Sequence, residues 1–165
     1  MKTLVIHPKD NSTFFLAQSY LSLDATVVTD VNVSKSKLKE LIKTHDKIIM
    51  MGHGTKDGLI ATKRLIIDSS FVYLLRDKIS ICVWCNANEF FYKYKLKGYA
   101  TGMVVSEIDE GYYYGVNCTY KEINDSNQLF GKSLKLALQS EDVRTTLLES
   151  YQGDTDVIFF NQGNL

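Results

Sequence analysis

Short runs of apolar residues, too brief for helices and flanked by polar or turn-forming residues, recur along this chain with stretches of helical spacing between them. The run Ile48-Ile49-Met50-Met51 is apolar without alternation, as a strand covered on both faces should be. Strands of that kind joined by helices imply an α/β fold, a three-layer sandwich around a mostly parallel sheet. Six strands are predicted, at residues 3–7, 25–29, 47–51, 79–84, 101–105 and 157–160. Helices are expected between them, from Ser12 to about Tyr20, over residues 34–44 and 69–76, from Asn86 to Leu96, and within residues 126–150. In the second of these Val33, Leu38, Leu41 and Ile42 share one face, while Lys35, Lys37, Lys39 and Lys43 solvate the other. Tyr112-Tyr113-Tyr114 reads as a loop or an edge-strand segment, packing residues or a recognition surface.

A chain of 165 residues suits one domain, residues 1–165, because two independent cores would each approach the lower size limit for folding. With 45% hydrophobic and 23% charged residues it lies near the globular average. Lys plus Arg and Asp plus Glu both number 19, so no net field favours nucleic acid or a membrane surface. The N-terminal residues read directly as a strand, and no signal-peptide core or spanning apolar stretch is present, which implies a soluble, cytoplasmic protein. Three cysteines make no even disulfide framework and are expected to be thiols.

In open parallel sheets the reactive crevice lies outside the carboxyl ends of the strands. His53 follows the strand at 47–51, between Gly52 and Gly54, and Cys85 follows the strand at 79–84. A right-handed crossover makes these two strands neighbours and brings imidazole near thiol. Cys85 also precedes a helix, whose dipole and free amides would favour the thiolate.

The segment Ile48-Ile49-Met50-Met51-Gly52-His53-Gly54, then Gly58-Leu59 and Ile79-Ser80-Ile81-Cys82-Val83-Trp84-Cys85, resembles the caspase-like cysteine peptidases. In them an apolar strand ends in His-Gly and the next core strand ends in the nucleophilic Cys. The resemblance implies a caspase- or flavodoxin-like topology, His53 as catalytic histidine, Cys85 as nucleophile, and the Gly54 amide as an oxyanion donor. The sequence departs from the caspase pattern around the nucleophile, where it reads Val83-Trp84-Cys85-Asn86-Ala87, and it has no arginine placed to read an acidic substrate residue.

Other readings are weaker. Cys82 and Cys85 are spaced as a redox pair, but Cys82 falls inside a strand and reads as core packing, with Cys118 an incidental loop or edge cysteine. His7, His45 and His53 are scattered without the paired spacing of a zinc site, so no metal is expected; His7 reads as a strand-end polar residue and His45 as a surface connection. No phosphate-binding glycine pattern is present. Ser106, Glu107 and Asp109, with Glu110, follow the fifth strand and either line an acidic specificity pocket suited to Lys or Arg, or form a solvated loop.

The chain is therefore expected to be a cysteine peptidase with a His-Cys dyad acting on a protein or peptide, without cofactor. The alternative is an inactive module of the same fold that binds a small ligand or a partner protein in the strand-end crevice. Homodimerisation and a partner protein both stay open.

Overall fold

The computed structural model describes residues 1–165, which fall into two compact units. The first comprises Met1–Asp10 and Leu23–Gly102. Its centre is a five-stranded sheet of β1 (Thr3–Ile6), β2 (Ala25–Val28), β3 (Lys47–Met51), β7 (Ile79–Val83) and β8 (Lys97–Ala100), in the order β2-β1-β3-β7-β8. Every pairing is parallel. Numbered among themselves these strands run 2-1-3-4-5, an order found in doubly wound sheets. The apolar run that defines β3 occupies the middle: Ile48, Ile49, Met50 and Met51 are all fully buried.

Helix α1 (Lys35–Lys43) starts where the Ser34 hydroxyl accepts a hydrogen bond from the Lys37 amide, 3.1 Å away. Leu38 and Ile42 are buried and Leu41 packs beside them, the face expected from their spacing. Its lysines do more than solvate the opposite side. Lys35 pairs with Asp68, and the Lys39 ammonium lies 5.3 Å from the centre of the Phe71 ring. Asp68 caps the following turn, accepting from the Ser70 amide at 2.9 Å; that turn leads into α2 (Val72–Leu75).

Between β3 and α2 the chain makes a second, antiparallel sheet that sequence reading left out, of β4 (His53–Thr55), β5 (Gly58–Ala61) and β6 (Arg64–Ile67). Its strands have three or four residues and no sustained alternation, so they carry almost no periodic signal. The central sheet has five strands, not the six expected. The fifth strand is β8, four residues upstream of the apolar run 101–105, and that run is not a strand. The segment 157–160 is helical, within α7 (Asp156–Gln162): Thr155 accepts from the Ile158 amide, and Val157, Ile158 and Asn161 are buried at helical spacing. A four-residue apolar run fits a buried helix as well as a strand, and here the cap decides.

The second unit comprises Asn11–Ser22 and Met103–Leu165 and contains α4 (Ile108–Tyr113), α5 (Tyr120–Leu138), α6 (Val143–Ser150) and α7. The helix expected from Ser12 is a 3-10 turn over Phe14–Ser19, with no side-chain cap. Tyr112 and Tyr113 lie on α4 rather than in a loop. Thr119 and Glu122 form a reciprocal capping box that starts α5 upstream of the expected position. Asn161 brackets the backbone of Val105, accepting from its N–H at 2.7 Å and donating to its carbonyl at 3.0 Å, and also donates to the Tyr151 hydroxyl. This buried network accounts for Val105, which is fully buried without belonging to a sheet. No helix of the chain is long and apolar enough to cross a membrane.

Candidate active site

The carboxyl rim of the first unit is built by the ends of β1, β3 and β7, which are consecutive neighbours in the sheet. Parallel register places Met51 opposite Val83, and the Gly52 N–H extends that ladder by one bond to the Val83 carbonyl at 3.1 Å. His53 and Cys85 each follow two residues past this matched pair. At Gly52 the chain turns out of one sheet and into the other with φ of +139°, a conformation that side-chain-bearing residues rarely adopt.

His53 opens β4 and pairs with Ile60 of β5. Its Nε2 lies 3.3 Å from Oδ1 of Asp10, four residues beyond β1. Both side chains are partly exposed, 38% for His53 and 47% for Asp10, so the pair is reachable from solvent. Asp10 was not anticipated. Its only signal is position: it follows the end of a strand that borders the histidine strand.

Gly54 has a packing role. A Cβ there would lie 2.2 Å from Cδ1 of Trp84, because the indole lies flat against the hairpin. Trp84 is nearly buried, donates from Nε1 to the Thr55 carbonyl at 2.9 Å, and meets Phe90 edge-on with ring centres 5.8 Å apart. The residue preceding Cys85 thus fastens the histidine-bearing hairpin to the rim.

Cys85 is half-buried. It stands before α3 (Ala87–Lys93), whose Phe90 and Phe91 are buried. The free amides expected there do not exist. Asn86, at φ of +61°, donates to the Gly102 carbonyl, Ala87 to Trp84, Asn88 to Thr101 and Glu89 to Asn86, at 2.9 to 3.2 Å. With those donors committed and only seven residues in the helix, the start of α3 offers Cys85 no free amide to favour a thiolate.

The remaining polar residues divide between the units. Cys82 is fully buried and burial pushes its thiol far up, so it is part of the core. His7 is 3% exposed and its backbone N–H continues the β1–β2 ladder to Val28. His45 is no surface connection: it is 7% exposed, its Nδ1 donates to the Leu41 carbonyl at 2.7 Å, and its Nε2 meets the Thr26 hydroxyl at 2.9 Å. Cys118, in the second unit, packs by the Val105 cluster, and burial followed by the nearby Glu122 raises its thiol. No group of three or more His, Cys, Asp or Glu side chains is arranged to hold a metal ion.

Ser106, Glu107 and Asp109 belong to the second unit, where they line a cavity of about 460 Å³ together with Asn11, Phe14 and Asn124. Glu110 does not join them. Its carboxylate accepts from the Ser106 amide at 2.7 Å and the Glu107 amide at 3.2 Å, closing the first turn of α4.

Comparison with family models, with curated proteins and with solved structures returns no match to this chain.

Proposed function

We propose that the chain is a cysteine peptidase of the caspase-like type, in which Cys85 is the nucleophile and His53 the general base and acid. The observation that supports it most is the Asp10 carboxylate on the His53 imidazole, at the rim where the adjacent parallel strands β1, β3 and β7 end and Cys85 follows β7. Strand order 2-1-3-4-5 and the position of the crevice fit a three-layer, caspase- or flavodoxin-like topology.

The chemistry follows from the contacts. Asp10 accepts a hydrogen bond from Nε2–H, which selects the tautomer whose Nδ1 is the basic nitrogen. His53 takes the Cys85 proton, the thiolate attacks a peptide carbonyl, and the tetrahedral oxyanion is held by backbone amides at Gly54 and Cys85. Collapse expels the amine, which receives the proton from His53. Water, deprotonated by the same ring, then hydrolyses the thioester. Asp10 stabilises the imidazolium formed twice per cycle. The substrate is a protein or peptide, and a reducing cytoplasmic setting suits three thiols without a disulfide.

One observation favours a second reading, a non-catalytic module that binds a ligand or partner in the same crevice: the amides at the start of α3 are all used within the fold. Cleavage of a peptide library separates the two. Cys85→Ala and His53→Ala should each abolish cleavage without lowering thermal stability much, and the double variant should be little worse than either. If parent and variants are equally inert, and a small molecule or protein raises the melting temperature of both parent and Cys85→Ala, the binding module is the better account.

A further inference from the structure

The second unit contains a cavity that catalysis at His53 and Cys85 leaves unexplained. At about 460 Å³ it falls in the size range of small-ligand and peptide subsites. One wall is a single face of α5, where Tyr120, Asn124, Asn127 and Gln128 recur at helical spacing. The opposite wall comes from the 3-10 turn and the residues before it, with Phe14 and Asn11. Glu107 and Asp109 lie at its α4 side, and no lysine, arginine or histidine lines it.

These walls restrict what can bind. Two carboxylates without a basic residue repel an anion. Lys121, the basic residue beside Tyr120 on α5, is paired with Asp125 and does not line the cavity. An inorganic cation would find no cluster of ligating side chains. Asn127 already donates to the Ser106 carbonyl and Gln128 accepts from the Gln18 amide, but Asn11 and Asn124 each present a primary amide donor and acceptor, which matches the alternating N–H and C=O groups of an extended peptide backbone. The Phe14 and Tyr120 side chains, 69% and 71% exposed, are rings on which an alkyl stem or a guanidinium can lie.

We infer that this cavity binds an extended peptide segment carrying a lysine or arginine. The amides of Asn124 and Asn11 take its backbone, the exposed rings take the side-chain stem, and Asp109 with Glu107 takes the charge. Assigning that peptide as the substrate rests on the peptidase reading; the binding step itself does not.

The test uses the full chain as Cys85→Ala, which removes turnover from the measurement. Acetylated, amidated Ala-Leu-Arg-Leu-Ala is titrated against the isotope-labelled protein, alongside the same peptide with citrulline, an uncharged isostere of arginine. The arginine peptide should bind about tenfold more tightly, shift the side-chain amides of Asn11 and Asn124, and weaken as salt is raised. Asp109→Asn should remove the preference for arginine; Asn124→Ala should weaken both peptides. Asp109 and Asn124 are exposed, so both variants should fold like the parent, checked by their melting temperatures. Equal affinity for the two peptides, perturbations that avoid the cavity, or spermidine binding as tightly as the arginine peptide would each overturn the inference. The two proposals fail separately: basic-peptide binding with no cleavage by the parent refutes the peptidase alone. Cleavage by the parent that is indifferent to Asp109→Asn and to arginine refutes the cavity assignment alone.

Discussion

Replacing Gly54 with alanine puts a methyl group where the Trp84 indole already is. The new Cβ would stand 2.2 Å from Cδ1, 2.5 Å from Cγ and 2.6 Å from the Gly58 carbonyl oxygen, all inside van der Waals contact. The ring has no easy retreat, being 3% exposed, edge-on to Phe90 and hydrogen-bonded to Thr55. Forcing a methyl into such packing costs about 1–3 kcal/mol. Losing the indole bond to the Thr55 carbonyl adds about 0.5–1.5 kcal/mol. The sum, about 1.5–4.5 kcal/mol, lowers the melting temperature of a chain this size by roughly 3–18 °C. Trp84 is the only tryptophan, so its emission reports on this contact directly and should shift towards the red in Gly54→Ala. Removing the indole provides the control. With Trp84→Ala in the background the Gly54→Ala change should be milder by at least about 1 kcal/mol, followed by circular dichroism in a double-mutant cycle. A melting temperature within about 1 °C of the parent with unchanged emission, or strict additivity in the cycle, would show that the hairpin is not fastened through Trp84.

Two further outcomes follow from the thiols and the carboxylates. Iodoacetamide near neutral pH should label Cys85 before Cys82, because the Cys82 thiol is sealed and pushed up by burial, and Asp10→Asn should slow Cys85 labelling several-fold; peptide mapping that finds the reverse order, or no effect of Asp10, contradicts the proposed activation. Stability should be fully present at neutral pH and fall as pH drops through and below 3.8. Asp46 is held low by the Lys2 amide and Asp142 by the Thr145 amide and hydroxyl, while at Asp68 burial pushes upward but the bonds to Lys35 and Ser70 more than offset it. Urea midpoints from pH 6 to about pH 2.5 should fall less steeply in Asp68→Asn than in the parent, and parallel curves would remove Asp68 from the account.

The central sheet was readable because burial on both faces leaves an unbroken apolar run, as in β3, and because sequential parallel strands with helical crossovers restrict the order. What escaped detection lacked such a signal. The hairpin sheet β4–β6 is made of strands too short for a period to emerge, and its existence depends on a tertiary partner, the Trp84 ring against Gly54. The run 101–105 looks like a strand for the right physical reason, deep burial, yet the α3 amides take the Thr101 and Gly102 carbonyls, and the backbone of Val105 is satisfied by the side-chain amide of Asn161, 56 residues away. No local pattern encodes a partner at that distance.

The site shows the same division with a chemical consequence. His53 and Cys85 could be read as rim residues from strand-end position alone, since parallel register carries both outward together. The activation expected for Cys85 came from a general rule about helix starts, and the rule assumes open amides. Here Asn86 adopts a left-handed conformation, and the chain then folds the first amides of α3 onto the backbone of residues 84, 86, 101 and 102. That closure removes the electrostatic support the rule supplies. In the proposed mechanism Asp10 offers a different one, through the imidazole instead of the helix, and it follows β1, the strand on the far side of β3 from the cysteine. A nucleophile supported only through His53 should be sensitive to any change that tilts the ring. The hairpin that carries His53 is held by Trp84, one residue before the thiol, so the packing that fixes the imidazole and the backbone that presents Cys85 are coupled through a single side chain.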